Sequence, residues 1–471
     1  MMKEKFSKRD LEVFAQREIP REEVEGQVRR LHQGGRKVSA QRACVPSNGI
    51  SVLNEKELEL YLHKFQKSLN IGSSLSQFIP ASGAASRMFK ALLTKLSSEQ
   101  ETILKEAWQN FPFAAEMQEI LPTKVSKIDE IVEAIVSVER GLGLPSKPKG
   151  CVPFHAYEDQ EVRTAFEEHV VEWSECCGGK GGLVFTIQND FRDDIEKLLA
   201  KASLPIFLEE QHGSTDTIAW DLEKGALLRD AAGDLVWRPG GHGALLKNLG
   251  QVDADLVFVR NIDNVVDEAG MAVRRRWQQA LGGLALTMRE ERDEVLAALG
   301  RGEGEAVERA RRFLHGLVIF DREPETLEGW KRAIDRPIRV AGMVPNAGQP
   351  GGGPFWIADA EGHLRPGIAE KAELADGLME SGTHFNPVEL ACIMVDASGK
   401  RYDLNDFADH TAFFTAEKTH GATPIRILER PGLWNGGMAG WLTRFVEIPA
   451  EIFAPVKSVF DLLDRRPRRR R

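Results

Sequence analysis

Four short stretches hold residues whose types and spacing suit the handling of a phosphorylated ligand. In the first, FIPASGAASRM at 78–88, Ala81, Ser82, Gly83, Ala84, Ala85 and Ser86 lead to a single arginine, Arg87. Side chains this small let backbone N–H groups approach an anion, a helix start behind them adds partial positive charge, and a guanidinium contributes a permanent forked cation. The same composition also suits a plain strand-to-helix turn, and on this stretch alone both readings stand. In the second, KPKGCVPF at 147–154, Lys149 lies between Pro148 and Gly150 in what reads as a rigid, exposed loop before a helix. That is one way to aim an ammonium at a phosphate; an ordinary surface lysine is the other reading.

The third stretch, WRPGGHGALLKNLGQVDADLVFVRNIDNVVD at 237–267, says most. Gly240, Gly241, His242 and Gly243 form a turn almost without side chains, then comes a short helix, then an apolar strand ending in Asn261, Asp263 and Asn264. A carboxylate at a strand's end followed by an amide suits Mg²⁺, a hard cation that takes one or two carboxylates and completes its shell with phosphate oxygens and water. Taken singly, Asp263 is a turn cap and His242 a loop histidine; together with the glycines they favour a ligand site. In the fourth, FAPVKSVFDLL at 453–463, Lys457 follows a proline and precedes a helix. Two more Gly/Pro loops lie at 342–356 and 429–441, in the second of which Trp434 and Trp441 read as core.

Strands must present these loops. From Leu75 onward, apolar runs such as LSQFIPA, GGLVFTIQ, LPIFLEE and DLVFVR alternate with helical segments such as DQEVRTAFEEHVVEW and DFRDDIEKLLAKA. That alternation predicts an α/β fold with a largely parallel sheet, whose ligands sit beyond the carboxyl ends of the strands. Residues 1–65 are charged and read as a helical N-terminal appendage, followed by an α/β domain over 66–464. Within that domain, 91–146 and 271–335 read as helical inserts, the second with opposite charges at helical neighbour spacing, as on a solvated arm. Residues 465–471, RRPRRRR, form a basic tail.

Bulk properties narrow the function classes. With 42% hydrophobic and 28% charged residues the chain is of ordinary globular composition, and its net charge of -9 argues against general nucleic-acid binding. The five cysteines, Cys44, Cys151, Cys176, Cys177 and Cys392, are odd in number and show no CxxC spacing, so neither a disulfide framework nor a zinc site is expected. No signal-like core or membrane-spanning apolar run stands out, and the expectation is a cytoplasmic protein.

In their order the stretches resemble the GT-A-type nucleotidyltransferases, most closely the UDP-sugar pyrophosphorylases of the UTP–glucose-1-phosphate and UDP-N-acetylhexosamine groups. Gly83, Ser86, Arg87 and Met88 fit the family's small-residue loop, and KPKG fits its Pro-Lys, displaced by about sixty residues of helical insertion. PGGHG, FVRNIDN and FAPVK…DLL follow collinearly, so the resemblance spans roughly residues 75–463. The whole chain also resembles a bacterial family, placed beside these enzymes, that has no assigned substrate.

The resemblance implies a GT-A/Rossmann-like three-layer α/β/α fold, Mg²⁺ as cofactor, and a nucleoside triphosphate (UTP) and a sugar-1-phosphate as ligands. It implies that Ala81, Ser82, Gly83 and Ala84 receive nucleotide phosphates, neutralised by Arg87 and Lys149, with Lys457 binding phosphate from the far side. Gly241, His242 and Gly243 would meet the base or ribose, and Asp263, with Asn435 as second contact, would hold the metal. Two departures stand out: Ala85 replaces a signature glycine, and the Pro-Lys is displaced. A GT-A glycosyltransferase and a non-catalytic nucleotide or sugar-phosphate binder are the alternatives. The glycosyltransferase would use an Asp-x-Asp at a strand end, and DAD at 253–255 precedes its strand instead.

Overall fold

A computed structural model describes residues 6–35, 37–122, 127–158, 161–348 and 351–463; the arginine tail lies outside them. The chain divides into two compact units. The first gathers Met1–Ser68, Gln211–Val257 and Ala280–Ile448, and the second Leu69–Glu210, Phe258–Gln279 and Pro449–Arg471. Each is mixed α/β with a parallel set of strands at its centre, and no helix among the described residues is long and apolar enough to cross a membrane.

The second unit grows from LSQFIP. A strand buried on both faces reads as a continuous apolar run, and Leu75–Pro80 buries all but its last residue. It pairs in parallel with Gly182–Ile187, from Ser76 opposite Gly182 to Pro80 opposite Thr186, and Gly182–Ile187 pairs in parallel with Ile206–Glu210. The helix Arg192–Leu199 makes the second crossover. The helix Ala165–Cys177 starts later than its sequence suggests, because Thr164 and Glu167 form a reciprocal capping box. The preceding Val162–Thr164 is a strand paired with Pro153–Ala156. Between residues 91 and 146 lie the helices Ser98–Ala107, Ala114–Ile120 and Ile128–Val136.

In the first unit Val45–Pro46, Gly49–Ser51, Leu442–Glu447 and Ile338–Pro345 run parallel in that order, and Glu389–Ile393 adds an antiparallel neighbour. Two antiparallel sheets flank this set in the chain, one of Ala40–Ala43 with Gly353–Ala358 and Leu364–Ala369, the other around Thr217–Asp221 and Thr423–Glu429. The segment 1–65 therefore contains strands as well as the helices Lys8–Gln16 and Arg21–Gln33. Its helices are built in, with Phe14, Ile19, Val24 and Leu31 sharing a core with Ile218, Trp220 and Leu428. Its strands escape notice in the sequence because they are two to four residues long and turn tightly at Ser47 (φ +66°) and Gly49 (φ +98°).

The charged stretch from 271 is not a solvated arm. Glu268–Arg301 is one helix of 34 residues. Leu281, Leu284, Ala285 and Met288, three or four apart, form a buried stripe, and Arg274, Gln278 and Arg292 are buried as well.

Candidate active site

Most of the second unit's candidate residues meet at the carboxyl end of its strands. Leu75–Pro80 opens into residues 81–84 and a short 3₁₀ turn, Ala85–Arg87. The N–H of Ala81 donates to the carbonyl of Thr186 at 3.0 Å, and that of Ala85 to the carbonyl of Lys147 at 3.0 Å. Ala81 and Ala85 are buried, so the methyl group at 85 points into the protein interior. Between them, the N–H groups of Ser82, Gly83 and Ala84 have no acceptor among the described residues. A Cβ added at Gly83 would meet nothing within 4 Å. Arg87 is exposed.

The displaced Pro-Lys returns to this loop. Ala84 and Pro148 form an isolated antiparallel bridge, in which the N–H of Lys149 donates to the carbonyl of Gly83 at 3.1 Å. The intervening helices leave and rejoin at one point. Lys149 is not the exposed lysine of a free loop: its side chain is 16% exposed, and the next residue lies so close to the helix Ala165–Cys177 that a Cβ on Gly150 would come within 2.4 Å of the Phe166 ring.

Asp263, just past the strand Leu256–Arg260, receives two lysines on one oxygen. Lys149 Nζ donates to Asp263 Oδ2 at 2.8 Å, and Lys457 Nζ donates to the same atom at 3.0 Å. Lys149 Nζ also donates to the carbonyl of Val456 at 2.6 Å. Asp263 Oδ1 is buried and has no hydrogen-bond partner among the described residues. Burial alone would raise the pKa of Asp263, but Lys149 and Lys457 outweigh it and hold the carboxyl below its usual range. Burial lowers the pKa of Lys149, and Asp263 restores only part of the difference.

A buried polar frame, hardly visible in the sequence, fixes these groups. The Asn264 carbonyl accepts from Arg260 Nη2 and Arg274 Nη1, each at 2.7 Å, and Asn264 Oδ1 accepts from Arg274 Nη2 at 3.1 Å and from the Ala454 N–H at 3.0 Å. The Val456 N–H donates to the Asp263 carbonyl at 2.9 Å, which brings the Lys457 segment alongside. From the helix Ala165–Cys177, Glu172 takes Arg260 at 2.5 Å and the Val266 N–H at 2.9 Å. His169 donates Nε2–H to the Ile262 carbonyl at 3.2 Å; burial, with Arg260 nearby, pushes its pKa down to about 3 and keeps it neutral. One helix therefore seats both the Lys149 turn and the Asp263 loop. Buried arginines with carboxylate and carbonyl partners cost several kcal/mol to strip of them, about 3–5 for a broken buried pair.

Gly241, His242, Gly243 and Asn435 lie in the first unit, where the two glycine loops singled out in the sequence pack on each other. A Cβ on Gly243 would come within 2.0 Å of the Pro431 carbonyl oxygen, and Gly241 has φ +74° beside Glu429. His242 Nδ1 accepts the Leu433 N–H at 3.1 Å, and its ring stacks on Trp434, centroids 4.6 Å apart. Trp441 is fully buried. Asn435 Nδ2 donates to Glu373 Oε2 at 2.7 Å, and burial pushes the Glu373 pKa up to about 7. Asn435 Oδ1 is buried without a partner among the described residues.

Among the described residues no three His, Cys, Asp or Glu side chains gather as a metal cage. The donor set still fits Mg²⁺, because Asp263 Oδ1 has no competing donor and this ion takes few protein ligands when phosphates and water supply the rest.

Residues 7–468 match the family model described as a domain of unknown function, DUF4301. The chain belongs to that family. No curated protein matches it in sequence. Among solved structures it is similar to the uridine diphosphate N-acetylglucosamine pyrophosphorylase of Trypanosoma brucei in complex with inhibitor, at 12% identity and TM-score 0.49, covering 94% of this chain and 74% of that one. It is also similar to the inositol-1-phosphate CTP transferase of T. maritima, at 10% identity and TM-score 0.32, covering 84% and 96% respectively. At these identities and scores neither likeness bears on activity.

Proposed function

We propose that this member of the family is a sugar-1-phosphate nucleotidyltransferase. The observation that carries the reading is the meeting of Lys149 and Lys457 on Asp263, with Lys149 joined through its own N–H to a loop whose Ser82, Gly83 and Ala84 donors have no acceptor among the described residues. One carboxylate and two ammoniums leave a net positive pocket, and open N–H groups beside it suit phosphate oxygens.

In the proposed reaction a phosphate oxygen of the sugar-1-phosphate attacks the α-phosphorus of a nucleoside triphosphate, UTP in the closest reading. The bond from the α-phosphorus to the bridging oxygen breaks, and pyrophosphate departs with the electron pair. No side chain need act as nucleophile, so the protein works by position and charge. Residues 82–84 hold the phosphate chain, Lys149 opposes charge on the transferred phosphoryl group, and Lys457, more exposed, meets the leaving side. Arg87, at the loop's outer end, meets phosphate arriving from solvent. Mg²⁺ held by Asp263 would supply further neutralisation of phosphate charge. Within the first unit, taken by itself, Gly241, His242 and Gly243 are proposed nucleotide contacts and Asn435, whose Oδ1 has no partner among the described residues, a proposed cation contact. His242→Ala and Asn435→Ala test them by nucleotide and Mg²⁺ affinity, with urea unfolding of each variant beside it, because both side chains are hydrogen-bonded in the fold.

Two features weigh against the alternatives. Asp253 and Asp255, the Asp-x-Asp a glycosyltransferase would use, pair with Arg401 and Arg289. The methyl of Ala85, which would favour a binder without turnover, is fully buried and so does not stand on the exposed side of the loop where a ligand would lie. The deciding experiment crosses nucleoside triphosphates with sugar-1-phosphates in Mg²⁺ and reads pyrophosphate. Pyrophosphate from one pair supports the reading; nucleoside diphosphate as product, or ligand binding with no release from any pair, overturns it.

A further inference from the structure

We propose that Asp263 is an internal anion competing with the substrate for Lys149 and Lys457, so that a divalent cation and a polyphosphate bind this site cooperatively. The inference rests on the nucleotidyltransferase reading and specifies how its phosphate pocket is regulated.

Both ammoniums converge on Oδ2, at 2.8 and 3.0 Å, as they would on one phosphate oxygen, while Oδ1 is left without a donor. A carboxylate placed only to position lysines would share them between its two oxygens; here one oxygen is saturated and the other idle. The lysines also differ in freedom. Lys149 is 16% exposed and has a second acceptor in the Val456 carbonyl, whereas the Lys457 side chain is 56% exposed. An incoming polyphosphate therefore takes Lys457 first and shares Lys149.

What remains is a carboxylate, stripped of a counter-charge, beside a phosphate chain. Like charges at such separations repel, and more strongly in a partly dry pocket than in water. A divalent cation on the idle oxygen turns this repulsion into a bridge. Each ligand then raises the affinity for the other by the same factor, as linkage requires. Without the cation, the pocket is closed on itself by its own ion pairs.

Calorimetric titration of the full chain with inorganic pyrophosphate, in EDTA and in Mg²⁺, tests this on wild type and Asp263→Asn. Metal-free pyrophosphate should bind the variant on the order of tenfold more tightly than wild type, and the gain from Mg²⁺ should shrink by a similar factor, the usual scale of one coupling free energy. Equal or weaker metal-free binding by the variant overturns the proposal. Should Asp263→Asn melt below wild type, Asp263→Ser carries the same comparison. Lys457→Met supplies a second reading: it should cost more pyrophosphate affinity in the Asp263→Asn background than in wild type, and an equal cost overturns the competition. Turnover by wild type without tightening in Asp263→Asn sinks this inference alone. Tightening with no pyrophosphate release from any substrate pair sinks the catalytic reading and leaves the competition standing.

Discussion

Gly83 and Gly243 look interchangeable in the sequence, each in a run of small residues at the mouth of an α/β element, yet their surroundings are opposite. A Cβ at Gly83 would stand in open space, and one at Gly243 would be driven to 2.0 Å from the Pro431 carbonyl oxygen. The first glycine is not demanded by anything in the protein, since its φ is not in the left-handed region and no neighbour crowds it. The second is demanded by packing alone. A glycine that the fold does not need is the better pointer to a ligand, because what it leaves room for is absent from the chain.

The charges of the two regions differ in the same sense. Around Gly83 the unit offers ammoniums, a carboxylate and unused N–H groups. Around Gly243 the partners are an aromatic stack, a neutral histidine pushed down by burial and an amide on a carboxyl held near neutrality.

Substitutions can break or sharpen this contrast. Gly243→Ala should cost about 3 kcal/mol of stability, the upper end of the usual cost of overpacking, because the obstacle is fixed backbone, read by denaturant unfolding; a variant as stable as wild type would dissolve the distinction. Lys149→Ala should lower turnover about a hundredfold, the scale of one lost transition-state contact, in the pyrophosphate-release assay, and a wild-type rate removes Lys149 from the mechanism.

His169 gives the frame beneath the site a pH signature. Its folded pKa, about 3, lies below that of an unfolded histidine, so between the two the unfolded chain binds the extra proton and stability falls as pH falls. Urea unfolding at pH 7 and pH 5 should differ by about 2 kcal/mol from this group, and His169→Gln should remove that share. Identical pH dependence in the variant would contradict it. Gly83→Val should have the smallest effect, on the order of tenfold in nucleotide affinity, equivalent to about 1.4 kcal/mol, with melting temperature unchanged.

The strands around the site and its charged trio were legible because each signal is local: an apolar run, then a carboxylate or lysine at its end. Lys149 and Asp263 could be singled out from a few neighbours each. Their place around one ligand followed only from the resemblance, and the shared contact on Asp263 Oδ2 from neither, since it depends on an insert that closes on itself and on side chains that look ordinary in a row of letters. Arg274, in AVRRRWQQ, reads as surface charge and is buried beneath Asn264. Glu172 and His169 read as one face of an amphipathic helix, and only the fold reveals that they grip the loop before and after Asp263. The strands at 40–51 were hidden by shortness, and the bond from Asn435 to Glu373 by a sequence separation of 62. Apolar periodicity reports burial of carbon; it is silent about buried charge.

The bridge between Ala84 and Pro148 has a consequence for how this chain can change. Where the two ends of an excursion are stapled together, the excursion can grow or shrink without moving what lies outside the staple, and the chain-entropy penalty of added length rises only logarithmically. The helices of 91–146 thus hang from a clasp, and a lineage could trade them for a short turn, or for another module altogether, while Lys149 keeps its station.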